Sequence, residues 1–210
     1  MSPRRRSPCL AVAVCVGVLA LLTSCGAEQS EPTQNRGSVA ATLGPGERQD
    51  LADLAVSAED LPPLRRTVSP LVRDDIVAEA SLSDLEETLD ATGFKGGVKV
   101  EYRGASPQLT GVESQVLAFS SEAGAAEFSD YLAANAAAFF GDPIKVKPVV
   151  IAGRDGWRID PPVCDCAGAQ PLSAGAVLVG THVVVLQITG PKADPKMVHE
   201  LLAASLEAAT

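Results

Sequence analysis

The first 25 residues constrain this chain more than any other feature, because they decide where the rest of it folds. Three arginines, Arg4 to Arg6, precede an apolar run of about 15 residues, Cys9 to Thr23, and small residues follow it. A basic start, a short apolar centre and a small-residue end are the three parts of a secretory signal. A permanent membrane span needs roughly 20 apolar residues. The sequence therefore predicts that residues 1–24 are a signal peptide and that the remainder folds after export.

The end of this signal carries a specific motif. It reads Leu22-Thr23-Ser24-Cys25, with Gly26 directly after the cysteine. The segment resembles the lipobox of bacterial lipoproteins, in which leucine stands three places before a cysteine and small residues lie between. The resemblance implies cleavage before Cys25, diacylglycerol on its thiol, and attachment to the outer face of the cell membrane through N-terminal lipid. The alternatives are an ordinary secreted protein and an uncleaved N-terminal anchor.

Residues 25–50 have the composition of a tether. They are polar and rich in turn-forming residues, with no apolar periodicity that could pack on a core. We therefore expect a lipidated, disordered segment over 25–50 and a single domain over 51–210. Without the three arginines of the signal, the chain carries 14 basic and 26 acidic residues, a formal charge of −12. This charge argues against nucleic acid as a partner.

Hydrophobic periodicity predicts several strands in this domain. Val98, Val100 and Tyr102 alternate with charged residues, which predicts a half-exposed strand. Residues 183–188 are apolar on both faces, which predicts a central strand, and Gly180-Thr181 before them suits a two-residue hairpin. Further strands are expected near residues 113–119, 144–148, 157–160 and 176–179, with Pro148 confining its strand to an edge or bulge and Arg154-Asp155-Gly156 forming a turn.

Capping signals predict the helices. Ser83 with Glu86 forms a capping box for a helix near residues 82–92, and Asp194-Pro195 opens a closing helix. A long helix capped by Ser120 or Ser121 bears an apolar stripe of Ala125, Phe128, Leu132, Ala136 and Phe139. The element order predicts an α+β domain with a mainly antiparallel sheet of about six strands, flanked by helices.

The segment from Val116 to Leu132 carries a further resemblance. It is a strand that runs into the helix start FSSEAGAAEF. It resembles the helix-flanked antiparallel sheets of actinobacterial envelope lipoproteins, such as the Mog1/PsbP-like lipoproteins, and the extracellular sensor domains of membrane kinases. The chain departs from those sensor domains in having only a local cysteine pair after Cys25. The resemblance implies a domain of the bacterial envelope.

That local pair is Cys164-Asp165-Cys166, which lies in a proline- and glycine-rich stretch. In an oxidising compartment we expect a disulfide between Cys164 and Cys166. Free or intermolecular thiols, metal ligation and redox activity are the alternatives. A small strained ring would favour redox activity, whereas the charge of Asp165 disfavours the reactive thiolate.

No catalytic constellation is present in the sequence. His199-Glu200 begins like the zinc-protease helix, but Ala203 stands where the second histidine ligand belongs. The chain has no nucleophile elbow, phosphate-binding glycine loop or dinucleotide fingerprint. We therefore expect no enzyme, no cofactor and no metal. The alternative is an extracytoplasmic redox or metal-binding protein that uses Cys164 and Cys166.

Two successive phenylalanines indicate a contact surface. Phe139 and Phe140 end the long predicted helix and project about 100° apart, so at most one lies on the core stripe. The other is exposed, or lines a pocket or a partner surface. We predict a ligand or partner contact at Phe139 and Phe140. The sequence thus favours a lipid-anchored envelope binding or interaction module without catalytic activity, whose partner is an apolar ligand or an envelope protein.

Overall fold

The structure is a computed structural model that describes residues 43–57, 61, 64–80, 82–104, 108–141, 145–160 and 171–208. The predicted signal peptide, the predicted lipidation residue Cys25, most of the predicted tether and the pair Cys164 and Cys166 lie outside these residues. The elements in chain order are α1 (Pro45–Leu54), β1 (Arg65–Leu71), α2 (Arg73–Ala80), α3 (Leu85–Ala91), β2 (Phe94–Arg103), β3 (Gly111–Phe119), α4 (Glu122–Ala134), α5 (Ala136–Phe140), β4 (Lys145–Ile151), β5 (Arg154–Asp160), β6 (Leu172–Val179), β7 (His182–Thr189) and α6 (Pro195–Ala208).

The strands form one antiparallel sheet in the order β1-β2-β3-β7-β6-β5-β4. The predicted α+β class is confirmed, with seven strands in place of about six. Strand β7 is the middle strand, which confirms the interpretation of its apolar run as central. Strand β4, which contains Pro148, lies at one edge as predicted. Proline is tolerated there because one side of an edge strand needs no ladder hydrogen bonds.

Strand β1, at the other edge of the sheet, was not predicted from the sequence. Its first four residues are exposed, and Val68 keeps 45% of its surface accessible. The strand therefore shows no alternation of buried and exposed residues for a pattern search to detect. It is held by backbone pairing with β2, from Arg65 opposite Arg103 to Leu71 opposite Gly97.

Two local predictions are wrong: the capping box of α3 and the position of the turn between β4 and β5. The helix α3 is capped at Asp84 without a side-chain cap hydrogen bond, so Ser83 and Glu86 form no capping box. The turn between β4 and β5 is Ala152-Gly153, and Arg154 already belongs to β5. Both turn residues have positive φ, 48° and 76°, which is the geometry of a type I′ hairpin turn.

The helix α1 begins at Pro45, inside the stretch 25–50 that was assigned to the tether. Proline suits the first helical position because it has no N–H to leave unpaired. The Gly44 N–H donates to Glu47 Oε2 at 2.7 Å. These two local features start the helix six residues before the predicted domain boundary at Leu51.

The sheet separates two hydrophobic clusters. Alternate residues of β7 supply both, because successive side chains of a strand point to opposite faces. Val184, Leu186 and Ile188 belong to the cluster covered by α1 and α6. Val183 and Val185 belong to the cluster covered by α2 to α5. In the described part of the chain, no helix is long and apolar enough to cross a membrane.

Candidate functional site

The candidate site lies on the face of the sheet that α2 to α5 cover. On this face, β3 changes from buried Phe119 and Leu117 to half-buried Gln115 and Glu113. The neighbouring strand β7 changes in the same direction, from buried Val185 to half-buried Gln187. The sheet face is therefore apolar beneath the helices and polar beyond them.

A depression of about 220 Å³, here called the sheet groove, lies at this transition. Its lining residues come from the sheet and from α2, α4 and α5. Its apolar wall consists of Ile76, Leu117, Phe128, Leu132, Phe139, Phe140 and Val185, and its polar mouth consists of Glu79, Glu113, Gln115 and Gln187. A second depression of about 230 Å³ shares Glu113 and Gln187 and continues along the sheet past Arg103 to Thr189.

Both phenylalanines predicted to make contacts lie in the wall of the sheet groove. The long predicted helix is interrupted at Asn135 (φ −106°, ψ 20°), and Phe139 and Phe140 end the short helix α5. The stripe continues past this break to buried Ala136, but Phe139 is half-buried and packs against the edge of the cluster, contrary to its predicted core position. Phe140 is also half-buried, and its ring lies edge-on to Trp157 at 5.9 Å between centroids.

The mouth of the groove is charged. Strand register places Glu101 directly opposite Glu113, an arrangement of like charges that destabilises a sheet unless cations compensate it. Arg103 Nη2 donates to Glu101 Oε1 at 2.7 Å. From the neighbouring position on β2, Lys99 Nζ donates to Glu79 Oε1 of α2 at 2.9 Å. The carboxylate of Glu113 accepts from Gln115 Nε2 at 2.7 Å.

The pKa of Lys99 reports the potential at this mouth. Partial burial acts to lower the pKa of its ammonium, but the hydrogen bond to Glu79 acts against this. The negative charges of Glu113 and Glu101 also stabilise the ammonium, and the net result is a raised pKa. The neighbouring carboxylates therefore hold Lys99 in its charged form.

The most perturbed tyrosine of the described residues lies outside the groove. Burial, followed by a hydrogen bond to Asp84, raises the pKa of Tyr131 to about 12. Its hydroxyl donates to Asp84 Oδ1 at 2.7 Å, which joins α4 to the start of α3. This hydrogen bond links the two helices, and Tyr131 therefore has a structural role.

The two histidines of the chain, His182 and His199, lie in separate elements. His182 begins β7, where its Nδ1 lies 3.2 Å from the carbonyl oxygen of Val179. His199 lies in α6, on the other face of the sheet from the groove. Within the described ranges, no group of three or more histidine, cysteine, aspartate or glutamate side chains could hold a metal ion.

The polar residues of the mouth were not predicted from the sequence. One signal was available: Gln187 interrupts an otherwise apolar strand, and Gln115 and Glu113 occupy alternate positions of the strand next to it. Glu79, by contrast, lies on α2, a helix whose apolar periodicity is too weak to predict its orientation.

Comparison with known proteins provides no function that can be assigned to this chain. No family model matches the chain, and no curated protein matches it. Among solved structures, the chain is similar to the extracellular domain of PknH from Mycobacterium tuberculosis. The similarity covers 81% of this chain and 98% of that one, with 12% sequence identity and a TM-score of 0.45. Neither value is high enough to carry a function from one chain to the other.

Proposed function

We propose that this protein is a binding module of the cell envelope and that the sheet groove is its ligand site. One observation carries the proposal: a concave depression combines an apolar wall with a few convergent polar groups. Phe139 and Phe140 contribute to that wall, and Glu113 and Gln187 lie at the mouth. This composition is typical of small-molecule sites, in which apolar surface supplies affinity and a few polar groups orient the ligand.

The proposed role is binding without catalysis. No cysteine, serine or histidine lines the groove among the described residues. Of its charged groups, Glu79 is paired with Lys99, and Glu113 accepts a hydrogen bond from Gln115. Hydrogen-bonded carboxylates beside an apolar wall suit recognition, whereas nucleophilic catalysis needs a nucleophile next to a base.

The proposed location is the outer face of the cell membrane, with lipid on Cys25. The support is the segment Leu22-Thr23-Ser24-Cys25 after a short apolar run. Cells given labelled fatty acid should incorporate it into the wild-type protein and not into Cys25→Ala, because no other thiol stands at the end of the signal. Cys15→Ala, inside the apolar run, is the matched control and should stay labelled. Equal labelling of both variants would refute the anchor.

The groove is tested with the neutral fluorescent probe N-phenylnaphthylamine. Its fluorescence should rise when it enters the apolar wall. Phe140→Ala should weaken probe binding about five-fold or more, because a contact-site aromatic typically contributes at least about 1 kcal/mol. Binding is measured by titration, with circular dichroism as the check on folding.

Phe94→Ala is the matched control for this experiment. Phe94 is also half-buried, and its ring lies 5.7 Å from that of Phe119, but it does not line the sheet groove. Its loss should destabilise the fold and leave the probe affinity within about two-fold of wild type, since additivity holds for separate sites. A probe affinity that falls in Phe94→Ala and not in Phe140→Ala would place the site elsewhere.

A further inference from the structure

We infer that the ligand of the sheet groove is an amphipathic cation, with an apolar body against the helices and an ammonium group against Glu113. The inference rests on the proposed function, because it names the ligand class of that same groove. Its support comes from the distribution of charge at the mouth and from the position of Glu113 between the two depressions.

The charges at the mouth do not balance. Two carboxylates at or beside the mouth have cationic partners: Glu79 is bonded to Lys99 at 2.9 Å, and Glu101, which lines the second depression, to Arg103 at 2.7 Å. The third, Glu113, accepts a hydrogen bond from the neutral amide of Gln115 and interacts with Lys99 and Arg103 only through space, forming no ion pair among the described residues. Because Glu113 is half-buried, its negative charge is less screened by water than a fully exposed one. A cationic group is the complement of this carboxylate.

The position of Glu113 fits a ligand with two unlike ends. Glu113 and Gln187 are register partners on β3 and β7, and both line the apolar depression as well as its polar continuation. A ligand whose body fills the apolar depression therefore brings its head group to these two side chains. An ammonium there can donate to the Glu113 carboxylate, and such charge-assisted hydrogen bonds are about twice as strong as neutral ones.

An anionic head group fits the same place poorly. The two cations nearby, Lys99 and Arg103, already donate to carboxylates, whose negative charges offset theirs. An anion would also approach the charge of Glu113, and like charges at close range repel. The mouth therefore selects ligand head groups by the sign of their charge as well as by their polarity.

Three ligands with the same chain test this selection: octylammonium, octanol and octanoate, each used to displace N-phenylnaphthylamine from the full mature chain. Octylammonium should displace the probe at about one tenth of the concentration that octanol needs, since about 1.4 kcal/mol separates a charge-assisted from a neutral hydrogen bond. Octanoate should be the weakest of the three.

Two variants assign the selectivity to the mouth. Glu113→Gln should bring octylammonium to within about two-fold of octanol, while the neutral probe still binds and thereby reports an intact groove. Lys99→Met should act in the opposite direction and increase the preference for octylammonium, because it removes a positive charge. Glu127→Gln is the control, since this glutamate lies exposed on α4 and does not line the groove.

The outcomes separate the two proposals. Equal displacement by all three ligands, or a preference for octanoate, would overturn the cationic ligand and leave the apolar groove standing. A preference for octylammonium that survives in Glu113→Gln would also overturn it, because the carboxylate would then have no part in selection. No binding of the probe and no displacement by any ligand would refute the proposed function and this inference with it.

Discussion

Alanine in place of Gly124 is expected to destabilise the domain by about 3 kcal/mol, although glycine is a poor residue for the interior of a helix. Gly124 is buried in the first turn of α4. A Cβ built at this position would overlap the carbonyl oxygen of Thr92, a backbone atom at the end of α3. Backbone cannot rotate away as a flexible side chain can, so the two helices would have to separate. Urea denaturation followed by circular dichroism measures the change.

Gly46→Ala is the matched control for this prediction. Gly46 lies in α1, and no atom lies within 4 Å of where its Cβ would be. The same substitution should stabilise the protein there by about 0.5–1 kcal/mol, because alanine loses less backbone entropy on folding. If Gly124→Ala were as stabilising as Gly46→Ala, the close approach of α4 to α3 would be disproved.

Trp157→Ala is expected to cost about 3–5 kcal/mol, the usual range for removing a large aromatic from a core. Trp157 is 5% exposed and lies on β5. Its indole Nε1 donates to both the carbonyl oxygen and the Oγ of Ser129 on α4, at 3.2 and 3.1 Å. Its ring also supports Phe140 edge-on. The variant should therefore lose affinity for the apolar probe as well as stability.

Trp157→Phe separates the volume of this side chain from its hydrogen bonds. Phenylalanine keeps most of the ring packing but leaves the buried hydroxyl of Ser129 without its indole donor, which should cost about 1–3 kcal/mol. Thermal unfolding of the two variants beside wild type measures both quantities. Equal losses in Trp157→Ala and Trp157→Phe would mean that the ring volume contributes nothing, contrary to the packing described here.

The sequence predicted the central strand of this fold but not the edge strand β1. Strand β7, the Gly180-Thr181 hairpin and the closing helix were all found, because each has a strong local signal of apolar alternation, turn residues or a cap. The missed strand β1 has none of these: its first four residues are exposed, and it depends on hydrogen bonds to β2. A pattern within one segment carries no information about a partner strand.

The candidate site also contains some residues that were predicted from the sequence and others that were not. Phe139 and Phe140 were predicted as contact residues because two adjacent aromatic residues cannot both lie on one helical stripe, a rule that needs only the period of a helix, and their contact with a ligand stays a prediction. In the structure the helix is interrupted at Asn135, and both rings line the groove. The polar residues of the mouth were not predicted, although Gln187 is a polar residue within the apolar run of β7.

The sequence by itself determined the α+β class and the central place of β7, because hydrophobic periodicity and capping residues lie within a few neighbouring positions. Only the tertiary structure decided that Glu113 faces Gln187 and Glu101, since this depends on which strands are neighbours and in what register. The same holds for the bond from Glu79 to Lys99, which joins a helix to a strand. Charge complementarity at a site is a property of distances through space, and those distances arise only when remote segments pack together.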